Sequence, residues 1–253
     1  MIDDNLLDLA NSDLYLHNPF RALGLNSDAS LREIKKKQRL LTLTREMDIE
    51  SGEPAHSSEE ILDVISGENS DPIKRLLQRI FWIWPDKKKS QTAVIPVDYF
   101  TTAISFWERQ IKGGRSVVTP LHNLAVTYQL VFLESVQGGK QFSGLVKASG
   151  ELEDAFEKSL KYWMRLLKTK NFWQRIYDWV AEENDPRLDA NFLKRLRKQL
   201  SSFICVIYLN AAKKLHDSGK SDRSADIVNQ IWNVELPENV RENALNYQFQ
   251  KRS

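Results

Sequence analysis

One cysteine, ten glycines and eight prolines in 253 residues are what this sequence is short of. The single thiol, Cys205, excludes an intrachain disulfide and any thiolate metal cluster. It stands among Phe203, Ile204, Val206 and Ile207, the setting of a small buried hydrophobe rather than of a reactive nucleophile. The scarcity of glycine and proline excludes a loop-rich all-β or low-complexity chain. No apolar run approaches the ~20 residues that a spanning helix needs, so no membrane partner is expected. A basic leader is also missing, because the first residues carry Asp3, Asp4, Asp8 and Asp13; a signal peptide is not expected, and a reducing cytoplasm is the default compartment. Charge of one sign is not in excess either. The formal net charge is +2, which announces neither a nucleic-acid nor a membrane partner for the chain as a whole.

Catalytic signatures are absent as well. His17, His56, His122 and His216 are scattered, with no HExxH and no carboxylate at metal-ligand spacing. There is no GxSxG, P-loop or GxGxxG, and the pairs Gly113-Gly114 and Gly138-Gly139 precede no phosphate-binding residues. Glu59-Glu60 and Glu182-Glu183 are neighbours in sequence, which sets them apart on a helix surface rather than in one acid/base site. The expectation is a protein that is not an enzyme and carries no cofactor and no metal.

What is present is helical period. Apolar residues make up 42% and charged residues 28% of the chain, an ordinary globular balance. Residues 1–16 carry Leu6, Leu7, Leu9, Leu14 and Leu16 among aspartates and predict a short amphipathic helix. Asn18-Pro19 starts a new one that Gly24 ends. Ser30 followed by Glu33 is a capping box for a helix over about 31–47, with Ile34 and Leu41 inward and Lys35, Lys36, Lys37 and Arg39 outward. A polar loop over 50–57 precedes a helix opening at Ser57, interrupted between Ser66 and Ser70. Asp71-Pro72 restarts the chain as a helix to about Trp84, stopped by Pro85.

Residues 87–96 predict a linker between an N-terminal module over 18–86 and an all-helical domain over 97–253, with 1–17 as an acidic leading segment. In the larger domain Phe100, Ile104, Trp107 and Ile111 follow 4, 3, 4 spacing up to Gly113-Gly114. Leu121, Leu124, Tyr128, Val131 and Ser135 mark one face of the next helix. Leu152, Phe156, Ser159, Trp163 and Leu167 mark a third, and an aromatic helix follows over 171–181. Asp185-Pro186 is read as the N-cap and first residue of the longest helix, whose part from Ser201 to Ala212 is apolar nearly all round and is expected to run through the middle of the domain. Helices over 221–232 and 237–248 complete an all-α chain, a bundle or short α-solenoid of antiparallel order.

Three stretches resemble a J-domain, the module by which DnaJ-type co-chaperones engage a DnaK-class ATPase. They are Asn18-Pro19-Phe20-Arg21-Ala22-Leu23-Gly24-Leu25; then Asp28-Ala29-Ser30, Glu33-Ile34-Lys35-Lys36 and Arg39-Leu40-Leu41; and Ser70-Asp71-Pro72-Ile73-Lys74-Arg75 ending in Phe81. Order and spacing agree, over about a quarter of the chain. The opening stretch and the later Arg79-to-Asp86 segment are also similar to a group of atypical bacterial J-like proteins with helical C-terminal regions. The departure lies at 46–48, where the family has His-Pro-Asp and this sequence has Glu46-Met47-Asp48. Gln38 also replaces the family's usual aromatic. Since that tripeptide triggers ATP hydrolysis in the partner, the resemblance implies docking through Lys35, Lys36, Lys37, Arg39 and Asp48 without triggering.

Other features point to partners of different kinds. Lys158, Lys161, Arg165, Lys168, Lys170 and Arg175 lie beside Trp163, Phe172, Trp173 and Tyr177, while Arg187, Lys194, Arg195, Arg197 and Lys198 are read as opening the long helix. Cations interleaved with rings suit a nucleic-acid groove, with Lys161, Arg165, Lys168, Lys194 and Arg197 as its face; cations on a solvated face over a ring-filled core are the competing reading. Trp82 and Trp84, placed on a helix, point apart, so that one is expected to pack on the C-terminal domain and the alternative is an exposed partner patch. Leu121 to Tyr128 is similar to the first helix of a tetratricopeptide repeat, without a 34-residue period to support an array. The expectation is a J-like adaptor whose helical domain holds a client or subunit; a nucleic-acid-binding helical protein and a structural subunit of a larger assembly are its rivals.

Overall fold

Asn18 shows how the local sequence makes the first turns. Its side chain accepts a hydrogen bond from the Phe20 amide at 3.0 Å, capping a one-turn helix over Pro19–Ala22. Gly24 closes that turn in the left-handed region (φ 62°), and the Leu25 amide reaches back to the Phe20 carbonyl at 2.7 Å, the 6→1 bond of a Schellman ending. Ser30 and Glu33 then cap one another: Glu33 accepts from the Ser30 amide at 2.7 Å, and Ser30 Oγ accepts from the Glu33 amide at 3.3 Å. Asp71 accepts from the Ile73 amide at 3.2 Å, with Pro72 behind it as the first helical residue.

The computed structural model describes residues 6–51, 71–85, 97–114, 117–136 and 152–233. Among them every regular element is helical, so the fold is all-α. The expected helices from Ser57 and over 237–248, the interruption at Ser66–Ser70, the linker over 87–96, Gly138-Gly139 and His56 lie outside the described residues. The helices are α1 (Asp13–Leu16), α2 (Pro19–Ala22), α3 (Leu31–Ser51), α4 (Pro72–Ile80), α5 (Val97–Lys112), α6 (Val118–Val136), α7 (Leu152–Leu167), α8 (Lys170–Glu183), α9 (Ala190–Asp217) and α10 (Ser221–Asn233), preceded by a 3₁₀ turn at Leu6–Leu9. No helix among the described residues is long and apolar enough to cross a membrane.

The chain divides into two compact units, Asp13–Pro96, and Val97–Ser253 together with Met1–Ser12. In the smaller unit, the fully buried Asn18 amide also donates to the Leu14 carbonyl (2.8 Å) and the Gln78 carbonyl (2.9 Å), tying α1, α2 and α4 together. Tyr15 and Phe81 pack ring to ring at 5.2 Å, and Phe20, Leu23, Ile34, Leu76, Leu77 and Ile80 are buried in the same unit. Arg79 donates to the Ala29 carbonyl at 3.2 Å and Trp82 Nε1 to the Leu25 carbonyl at 3.0 Å.

In the larger unit α6 is the central element, buried without interruption from Pro120 to Glu134. Successive contacts run in opposite directions on α6 and α7: His122 meets Trp163, Ser159 Oγ donates to the Ala125 carbonyl at 2.7 Å, and Phe132 meets Phe156. The two helices are therefore antiparallel. Phe132, Phe156 and Tyr208, one ring each from α6, α7 and α9, meet with centroids 4.7 to 5.7 Å apart, an arrangement that favours edge-on ring pairs. The segment Leu6–Ser12 lies along α9: Asn210 donates to the Ala10 carbonyl at 2.9 Å and Lys214 to Ser12 Oγ at 3.4 Å, with Leu6, Leu7 and Ala10 buried.

Five expectations change. The leading segment is not one helix; its 3₁₀ turn and α1 are separated at Ala10–Ser12. The helix from Pro72 ends at Ile80, capped at Phe81, so Trp82 and Trp84 are not helical and both are buried. Their side chains escape the divergence that helical i, i+2 spacing imposes. The longest helix starts at Ala190 with Asp189 as its cap, accepting from the Phe192 amide at 2.7 Å. Asp185 instead accepts from the Arg187 amide at 2.9 Å, which spends the Asp-Pro pair on a turn. Helix α6, read as burying one stripe, is buried all round, because its only charge between 120 and 134 is Glu134 at the end. Lys37, read as outward, is half-buried, since it stands three residues from the buried Ile34 on the same side of α3. The expected all-round burial of the long helix is found over Ser202–Leu209.

Candidate functional site

The features able to engage a partner are surfaces. On α3, Ile34 faces inward and Lys37, Gln38 and Leu41 stand half-buried on the same side; Lys35, Lys36 and Arg39 are exposed. Leu40 and Leu43 are exposed too, by 55% and 57%, so the outer face mixes cations with two unburied leucines. Lys35, Gln38, Arg39, Thr42 and Leu43, a stripe at i, i+3, i+4, i+7 and i+8, line an open depression of about 390 Å³. The Ser30–Glu33 box holds the first turn of this helix, and the hydrogen bonds from the Ser30 amide and hydroxyl keep the Glu33 carboxyl below its usual pKa. The side chains of 45–51, among them Glu46, Met47 and Asp48, lie outside the described residues.

The second set of cations lies in the larger unit. Lys161, Arg165, Lys168, Lys194 and Arg197 are all exposed. Their neighbouring rings are not: Trp163 and Phe172 are fully buried, Trp173 nearly so, and Tyr177 is half-buried. Trp163 donates to Gln129 Oε1 at 2.6 Å, and His122 is enclosed by Trp163, Phe172 and Asn123. Trp173 donates to the Leu167 carbonyl at 2.9 Å, and the Arg197 guanidinium lies 5.6 Å from its ring centroid. The cations and rings read together in the sequence are thus separated by depth, with Arg197 on Trp173 as a point where they meet. Lys158 is engaged otherwise, bonded to Asp154 at 2.7 Å and placed over Tyr128.

Sequence reasoning missed the polar partners inside this unit. Gln129, Asn123 and Thr127 are buried on α6, and the apolar stripe gave no reason to single them out. The available signal was composition: a 15-residue stretch with one charge leaves its neutral polar side chains with nowhere to go but inward. Cys205 is buried as expected, and desolvation pushes its thiol up to about 12, far from a reactive thiolate. Among the described residues no three His, Cys, Asp or Glu side chains are grouped to hold a metal ion. An open hollow of about 320 Å³ lies between the Asn11–Ser12 segment, the end of α6 at Leu133 and Val136, and α9 at Asn210 and Lys214.

In comparisons with protein-family models, curated proteins and solved structures, the chain matches none.

Proposed function

We propose that this chain is a non-catalytic J-like adaptor of the cytoplasm: its smaller unit docks on a DnaK-class ATPase or another multiprotein partner, and its larger unit holds a client or a second subunit. The observation that carries the reading is the exposed stripe of Lys35, Lys36 and Arg39 on α3. A docked acidic surface meets three cations at fixed spacing there, because the capping box sets the helix start and Ile34 sets its rotation. The residues of all three J-like stretches supply the core of this unit, Phe20 and Leu23 from the first, Ile34 from the second, and Leu76, Leu77 and Phe81 from the third and its end. Glu46-Met47 in place of His-Pro favours binding without a trigger. For the client side, Phe106 and Trp232 are the large apolar side chains exposed in the larger unit among the described residues, the type of anchor on which protein partners spend their contact area.

The test is titration of the full chain against a DnaK-class ATPase with ATP turnover recorded in parallel. Saturable binding is expected, with turnover unchanged within about two-fold. The double reversal Lys35→Glu and Lys36→Glu is expected to weaken binding by about ten-fold or more, as two lost attractions of about 1 kcal/mol each require. Absence of binding removes the chaperone link, and strong stimulation removes the claim that triggering is lost.

A further inference from the structure

The charge of this protein is unevenly distributed. Residues 158–198 hold 11 Lys and Arg against 5 Asp and Glu, a net +6 in a chain of net +2, so the remainder carries −4. Within that segment Lys161 and Arg165 of α7 and Lys168 in the turn that follows it are spaced 4 and 3 and run for about 10 Å. Lys194, Arg197 and Lys198 form a second stripe, at the start of α9. All six are exposed, and none is ion-paired with a described carboxylate.

Two contacts join the stripes. Trp173 of α8 donates to the Leu167 carbonyl, the residue before Lys168, and Arg197 lies over the opposite partner of that bond, the Trp173 ring. The two rows of cations therefore meet at the α7–α8 turn with an aromatic floor between them. Uncompensated like charges held together raise the local potential and destabilise the folded chain, unless an anion is there to take them.

We infer that this corner of the larger unit binds the phosphate backbone of a nucleic-acid duplex without reading its sequence. The type of partner follows from what the face lacks. None of the large exposed apolar side chains of the described residues, Leu40, Leu43, Phe106 and Trp232, belongs to α7, α8 or α9, so these helices supply no anchor for a protein hot spot. They offer no large apolar side chain to insert into a lipid surface either. Trp163 and Phe172 are buried and Trp173 is nearly so beneath Arg197, so these rings offer bases no open face to stack on, which disfavours a single strand. A uniform array of phosphates, needing charge and nothing else, fits what is left.

The experiment is fluorescence anisotropy of the full chain with labelled DNA and RNA duplexes of about 20 base pairs, in two unrelated sequences each, across a salt series. Binding to either duplex type is expected, equal within about two-fold between sequences, with a log–log salt slope of about −3.6 to −5.4 for four to six phosphates engaged. Lys161→Gln, Arg165→Gln and Lys168→Gln combined are expected to make the slope shallower by about 2 to 3 units and to cost at least ten-fold in affinity at about 0.1 M salt. Lys194→Gln with Lys198→Gln is expected to act in the same direction. Lys35→Gln with Lys36→Gln on α3 is expected to leave duplex binding unchanged, which separates this face from the docking face of the proposed function. No binding to either duplex overturns the inference. So does a flat salt dependence, insensitivity to both sets of substitutions, or equal affinity for phosphatidylserine vesicles or polyglutamate at the same salt.

Discussion

At Asn18 a single amide does the work of several contacts. It caps α2, and its two N–H groups satisfy carbonyls of α1 and α4 from a position with no exposure to water. Replacing it by alanine removes the cap and strands two buried carbonyls. The cap loss costs about 1 kcal/mol, and each unsatisfied buried group adds about 1 to 3 kcal/mol. Asn18→Ala is therefore expected to destabilise the smaller unit by about 3 kcal/mol or more, read as a lowered urea midpoint of the transition that Trp82 and Trp84 report. An unchanged midpoint would show that the network is decorative. Half of this residue's role was legible in the sequence: Asn-Pro announces a cap with proline behind it. The bonds to Leu14 and Gln78 were not, because nothing local fixes which carbonyls a buried amide will find.

Helix ends followed the same division. Gly24 and Gly114 end their helices at positive φ as their positions in the sequence suggest, and the Ser30–Glu33 and Asp71-Pro72 signals start helices where they stand. The start of α9 was misplaced because Asp185-Pro186 and Asp189 are both competent caps, four residues apart. Local chemistry does not rank them; burial of Leu188 between them makes the first a turn and the second the cap. The two aspartates are thereby distinguishable by experiment. Asp189→Ala is expected to cost about 1 kcal/mol of the larger unit's stability, and Asp185→Ala clearly less, since its bonds to Arg187 are exposed. Thermal unfolding of the two variants side by side is the check, and equal losses would return the helix start to Asp185. Burial of α6 on every side was harder to foresee than its existence, for a periodic stripe tells which face is apolar but not whether the opposite face is also covered. On α3, by contrast, the stripe predicted the rotation well enough that only Lys37 changed sides.

For the molecule as a whole, the attachment of Leu6–Ser12 to the larger unit was not written in composition. Seven residues that bury two leucines and an alanine look the same whichever surface they meet. Deleting residues 1–12 removes the burial of Leu6, Leu7 and Ala10 on α9 together with the Asn210 and Lys214 bonds. At about 1.5 to 3 kcal/mol for each buried leucine, the larger unit is expected to lose about 3 to 6 kcal/mol. Denaturant unfolding followed through helicity checks this, and a deletion that leaves the transition in place would show the segment to be incidental. The same arrangement sets an order of events during synthesis. Asn210 and Ala10 are 200 residues apart, so at about 5 to 20 residues per second the leading segment waits about 10 to 40 seconds on the ribosome for the helix that covers it. The smaller unit emerges complete in that interval. For that time the leucines of this segment are open to whatever chaperone attends the nascent chain, and the larger unit closes around residues made 200 positions before Asn210.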